Sequence, residues 1–281
     1  MTHGTTIALG LAGAASWGTA DFCGGVASRK ADPYVVILVS QFIGLMLLVV
    51  GAVALDQPLS GLTTLAWGAA VGLVGIVGIV SLYRGLAIGP MSVVAPVSGV
   101  FAAAIPIPVS IALEGWPGAP LFLGFGFGLV GIWLVARGSG SLGRISRTPL
   151  LLGILAGASF GVFYILLDQA GEGGLLWPLA SARVTSVIAL APIVLMRRAS
   201  LPATGRVWLL TALAGGLDAG GNVFFILVAQ LGRLDVASVL LSLYPAATAI
   251  IAFLVLKERL GRTQVLGLIA MAAAIVLMTS F

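Results

Sequence analysis

Leu152-Gly153-Ile154-Leu155-Ala156-Gly157-Ala158-Ser159-Phe160-Gly161 shares its Leu-Gly start and its Ala-Ser-aromatic-Gly end with Leu9-Gly10-Leu11-Ala12-Gly13-Ala14-Ala15-Ser16-Trp17-Gly18, and the two stretches stand 143 positions apart. The same shift, without a gap, lays Gly72 on Gly215, Gly78 on Gly221, Gly89 on Gly232, Gly118 on Gly261 and Gly124 on Gly267. The chain is therefore two homologous halves, 1–138 and 149–281. Each half carries five apolar spans. An odd number forces the second half to enter a bilayer from the opposite side to the first, which is the inverted-repeat architecture on which secondary transporters are built.

Composition agrees: 60% of residues are hydrophobic, 8% are charged and the mean hydropathy is +1.17. A soluble chain of 281 residues lacks the polar surface to be solvated at that composition. The 39 glycines fit helices that associate in lipid through small residues, and Gly68/Gly72 and Gly124/Gly128 have the four-residue spacing for it. The fold class is an all-α integral membrane protein of ten transmembrane helices. A span needs about 20 apolar residues. The spans fall at 5–27, 34–55, 62–86, 91–113, 119–137, 149–168, 175–196, 206–229, 235–256 and 262–280, and 138–148 joins the halves. Pro96, Pro106 and Pro108 kink the fourth span; Pro178 and Pro192 bound or bend the seventh. With the amino terminus outside, every Lys and Arg except Arg183 and Arg233 falls in a cytoplasmic loop or span end, so both termini are expected on the non-cytoplasmic side.

Several chemistries find no support. Gly157-Ala158-Ser159-Phe160-Gly161 matches the Gly-x-Ser-x-Gly string of hydrolases, but it lies inside an apolar span and the single histidine is His3. Together with Ala14 to Gly18, it reads as a small-residue face on which the first and sixth spans pack. One cysteine, Cys23, and one histidine leave no zinc site, and no phosphate-cradling Gly-x-x-x-x-Gly-Lys string is present. No cofactor, metal or nucleic acid is expected, and the protein is not expected to be an enzyme.

Charges within spans are the sharper signal, because an unpaired one at mid-bilayer costs several kcal/mol. Arg183 and Asp218 stand out. Lining a cavity, they would meet the carboxylate and ammonium of a zwitterion, and Asp218 would be a candidate proton carrier. Alternatively they form a salt bridge, or Arg183 snorkels to an interface. Asp21, Arg84 and Asp168 lie near span ends, where anchoring is expected. Aromatic and polar residues cluster at mid-span, and Asn222 shares a helical face with Asp218. The candidate substrate-binding set is Trp17, Tyr83, Phe101, Phe160, Tyr164, Arg183, Asp218, Asn222, Phe225 and Tyr244.

Ala14-Ala15-Ser16-Trp17-Gly18, Leu82-Tyr83-Arg84-Gly85-Leu86-Ala87 with Pro90-Met91-Ser92, and in the second half Asp235-Val236-Ala237-Ser238, Tyr244-Pro245-Ala246 and Leu256-Lys257-Glu258-Arg259-Leu260-Gly261 resemble the drug/metabolite transporter superfamily, in particular its ten-helix EamA-type exporters. The resemblance covers essentially the whole chain. It implies a basket of ten helices around a central cavity in the bacterial inner membrane, and export of aromatic or other neutral amino acids and related metabolites by alternating access. A small-molecule substrate and the lipid bilayer are then the partners, and a monomer suffices. A multidrug exporter is the alternative, and a membrane-embedded enzyme a remote one. Two features depart from the family: Glu114-Gly115-Trp116 stands where the turn seen at Glu258-Arg259-Leu260 is usually repeated, and members are commonly drawn with cytoplasmic termini. The four-helix multidrug relatives use a glutamate in the first span, and Ala14 to Gly18 contains no acid.

Overall fold

The computed structural model describes residues 3–89, 91–137, 147–199, 201, 204–256 and 261–279. Among them every regular element is a helix: α1 (His3–Ser28), α2 (Pro33–Ala54), α3 (Leu62–Ile88), α4 (Met91–Ala104), α5 (Pro106–Glu114), α6 (Ala119–Arg137), α7 (Arg147–Glu172), α8 (Leu176–Arg197), α9 (Gly205–Leu231), α10 (Leu234–Leu241), α11 (Tyr244–Leu256) and α12 (Arg262–Thr279). Eight of the ten expected spans are single helices. The fourth and ninth are each two, and proline accounts for both breaks. Pro106 has no N–H and its ring crowds the preceding turn, so α4 stops at Ala104 and α5 restarts on Pro106. Pro245 acts alike: α10 ends at Leu241 and α11 restarts at Tyr244. Residues 138–146, the joint between halves, and Lys257 to Leu260 lie outside the described residues.

Among the described residues, six segments are long and apolar enough to cross a membrane: α2, α3, Val94 to Glu114 through α4 and α5, α7, α8 and α9. The 22 residues of α2 reach about 33 Å, the thickness of a hydrocarbon core. Its start is fixed by Asp32, whose carboxylate accepts from the Tyr34 N–H at 2.8 Å, with Pro33 in the first turn. Large side chains such as Leu47, Val50, Leu73, Val77, Ile188 and Leu209 point outward, as lipid-facing residues do.

Glycine sets how the helices approach. A side chain on Gly72 would strike the Ala182 carbonyl of α8, and one on Gly68 the Pro178 carbonyl. Across the molecule Gly215 of α9 meets the Ser40 carbonyl of α2 in the same way. A second pair repeats the exchange: Gly78 lies against the Phe160 ring and Gly221 against the Trp17 ring. Gly72/Gly215 and Gly78/Gly221 are the very pairs that the 143-residue shift superposes, so equivalent contacts are built twice with the halves exchanged. Gly128 faces Val239, and Gly131, against Gly267 and Met271, brings α6 onto α12.

The two small-residue strings do not pack on each other. Gly18 faces the Tyr244 carbonyl of α11, Ser16 donates to the Leu217 carbonyl of α9 at 2.7 Å, and Gly157 faces the Ser98 carbonyl of α4. Between α1 and α7 the described ring contact is Trp17 on Tyr164, so large side chains hold these helices apart where small ones join them to other neighbours.

The two ends of the bundle differ. At one, Arg84 of α3 donates to the Tyr34 hydroxyl and Arg197 of α8 stands 4.7 Å over the same ring. At the other, Arg233, just before α10, reaches back to the end of α5. It donates to the Gly115 carbonyl at 2.8 Å, pairs with Glu114 at 3.6 Å and pairs with the buried Asp235 at 2.9 Å. The Asp235 hydrogen bond pushes the Arg233 pKa above its ordinary value, so alkali does not discharge this clasp.

Candidate functional site

Between α1, α2, α3, α7, α8, α9 and the start of α11 lies a cavity enclosing roughly 640 Å³ of empty space, its open mouth included. Both halves contribute. Gly72 and Gly75 keep the α3 wall low, and the facing wall is aromatic. Trp17 stacks on Tyr164 with ring centroids 5.5 Å apart and planes 8° from parallel, and Tyr164 meets Phe163 edge-on at 6.1 Å. Phe160 continues the row from Phe163 at 6.4 Å.

The charged group of the cavity is built around Arg183 of α8, which is 5% exposed. Its Nη1 donates to Asp218 Oδ2 of α9 at 2.7 Å and to Gln41 Oε1 of α2 at 2.5 Å. Its Nη2 is buried and has no hydrogen-bond partner among the described residues. The salt bridge and the cavity lining, alternatives at the level of sequence, thus hold together. Asp21 of α1, one turn beyond Trp17, supplies a second carboxylate to the same cavity and has no ion-pair partner among the described residues.

Of the ten sequence candidates, Trp17, Phe160, Tyr164, Arg183, Asp218, Asn222 and Tyr244 line this cavity. Three do not. Phe225 is fully buried behind the wall, stacked on Tyr164 at 4.8 Å. Tyr83 is wedged between α3 and α1 against Gly24, its hydroxyl 3.5 Å from the Ala20 carbonyl. Phe101 faces outward, 37% exposed, with its Cβ against Gly157. Tyr244 reaches the cavity from the α10–α11 break, its hydroxyl hydrogen-bonded to Ser98 of α4, which ties the broken spans of the two halves together.

Among the lining residues that the sequence did not single out for binding, four are polar or aromatic: Asp21, Gln41, Phe163 and Ser186. Asp21 is corrected from an anchor at a span end to a buried cavity residue: it is 7% exposed and lies one turn beyond Trp17 on the face of α1 that lines the cavity. Spacing held the signal, since Asp21 stands four residues after Trp17, Phe163 three after Phe160 and Ser186 three after Arg183, each on a shared helical face. Gln41 was marked only by being a polar side chain in an otherwise apolar stretch.

No curated protein matches the sequence. A solved crystal structure superposes with a TM-score of 0.77 over 98% of this chain and 96% of its own, at 14% identity. At that identity the likeness shows the fold alone. The sequence pattern of the EamA-like transporter family matches twice, at residues 4–137 and 147–280. Two matches that together span nearly all of the chain place it: it belongs to the EamA-like transporter family, multi-pass membrane transporters of the drug/metabolite type that carry small molecules and are not enzymes.

Proposed function

We propose that the protein exports small zwitterionic metabolites, aromatic and other neutral amino acids first, across a bacterial inner membrane. The observation that carries this reading is one cavity in which an aromatic wall stands beside a buried guanidinium and two carboxylates. Opposite charges suit the two ends of an amino acid; the rings suit its side chain. In this reading the ten candidate residues fall into two groups. Trp17, Phe160, Tyr164, Arg183, Asp218, Asn222 and Tyr244 line the space that the substrate occupies, while Phe225, Tyr83 and Phe101 support or flank the wall. Residues 1–138 and 149–281 are the two inverted repeats, and they rock about this site to expose it to either side in turn. The cationic end at Arg84 and Arg197 faces the cytoplasm and the Arg233 end faces away, so both termini lie on the non-cytoplasmic side.

Export of lipophilic cations is a second reading, favoured by the excess of carboxylates over guanidinium in the cavity. Uptake of radiolabelled neutral amino acids into liposomes holding only this protein, with and without an imposed pH gradient, tests both. Saturable uptake competed by other amino acids supports the first reading. Uptake competed by a lipophilic cation and by no amino acid replaces it with the second.

A further inference from the structure

The cavity's charged groups are not equivalent, and their engagement divides the work between them. Asp218 is already balanced by Arg183 at 2.7 Å. Arg183 has spent Nη1 on Asp218 and on Gln41, and Nη2 remains buried without a partner among the described residues. A buried charged donor left without an acceptor is costly, so this atom is set to receive an anionic oxygen. Asp21, 7% exposed, is the carboxylate of the cavity left with no ion-pair partner among the described residues. We propose that Asp21, rather than Asp218, receives the ammonium group of the substrate, while Arg183 Nη2 receives its carboxylate and Asp218 serves to position Arg183.

The proposal rests on the zwitterion reading above and sharpens it. With the substrate seated, its ammonium balances Asp21 and its carboxylate balances Arg183, whose other charged partner is Asp218. Gln41 holds the guanidinium from the α2 side through Nη1, the nitrogen that also pairs with Asp218, which leaves Nη2 as the arm of the planar fork without a protein acceptor among the described residues. The 143-residue shift pairs Asp21 with Tyr164, Arg183 with Ser40 and Asp218 with Gly75. No charge has a charged counterpart, so the pseudo-symmetric cavity holds one oriented site rather than two.

The test is equilibrium binding of radiolabelled phenylalanine to the purified protein, competed by 3-phenylpropionate, which lacks the ammonium, and by phenethylamine, which lacks the carboxylate. In the unaltered protein each analogue is expected to bind at least roughly tenfold more weakly than phenylalanine. Asp21→Asn is expected to weaken phenylalanine to the level of 3-phenylpropionate while leaving 3-phenylpropionate within about twofold of its original affinity. Equal weakening of both ligands by Asp21→Asn overturns the proposal, as does selective loss of the ammonium preference in Asp218→Asn. The analogue series in the unaltered protein needs no variant to fold, and equal affinities for phenylalanine and 3-phenylpropionate refute the proposal by themselves. A protein that binds phenethylamine but no amino acid fails at the earlier step, in the zwitterion reading, and the proposal falls with it.

Discussion

Arg183 is held from two helices by one nitrogen, and that arrangement depends on a planar fork with several donors. An ammonium is a compact point charge and cannot span Gln41, Asp218 and a ligand together. Arg183→Lys is therefore expected to keep the fold, since Asp218 retains a cation, while zwitterion uptake in proteoliposomes falls by about tenfold or more. Arg183→Leu is different in kind. It strands Asp218 in a largely buried place, and losing one partner of such a pair costs about 3–5 kcal/mol, so the melting temperature in detergent should fall as well. Arg183 and Asp218 were legible in the sequence because charges in apolar spans are rare and costly. Asp21 was misjudged. Nearness to a span end was read as anchoring, but the end of α1 fell where the sequence put it. What decides the role of Asp21 is the face it shares with Trp17, which the neighbouring helices turn into the cavity.

Each α3–α8 and α2–α9 contact is a seam of glycine against backbone, which leaves no room for a side chain. Gly72→Val would drive a branched carbon into the Ala182 carbonyl, which as backbone yields only if the helices part, and the cost is expected to be about 1–3 kcal/mol, read as a lower melting temperature. Gly126, exposed on α6 with nothing near its missing Cβ, is the control. There Ala gains helix propensity, and Gly126→Ala should be neutral or stabilising by up to about 1 kcal/mol. The α5–α10 clasp separates its two anions just as sharply. Glu114 is about a third exposed and its loss should cost below about 1 kcal/mol. Asp235 has a fully buried side chain, so Arg233→Ala leaves a carboxylate without its cation and should lower the melting temperature several-fold more than Glu114→Ala. The broken fourth and ninth spans were half legible. Pro106 was among the prolines expected to kink the fourth span, whereas no break was expected in the ninth, which Pro245 divides into α10 and α11.

The whole molecule is two halves meeting around one asymmetric cavity, and motion between them is what the proposed transport requires. A cross-link between Trp116→Cys and Gly232→Cys, exposed positions beside the Arg233 clasp, by a cleavable bis-maleimide in a Cys23→Ser background would tie the first half to the second at one end. Uptake should stop on cross-linking and return on cleavage; uptake that continues with the link intact would show that this end does not open. By itself the sequence determined the repeat, the helical spans to within a few residues and the presence of charges that lipid could not tolerate unpaired. These follow from local hydropathy and from the cost of charge in hydrocarbon, which act along the chain. Tertiary structure alone decided that Gly18 meets α11 and not α7, that Phe225, Tyr83 and Phe101 stand outside the cavity, and that Asp21 and Gln41 stand within it. In spans this uniformly apolar the hydrophobic pattern does not fix helical phase, so which face looks inward is set by the close fit of glycines against neighbouring backbones.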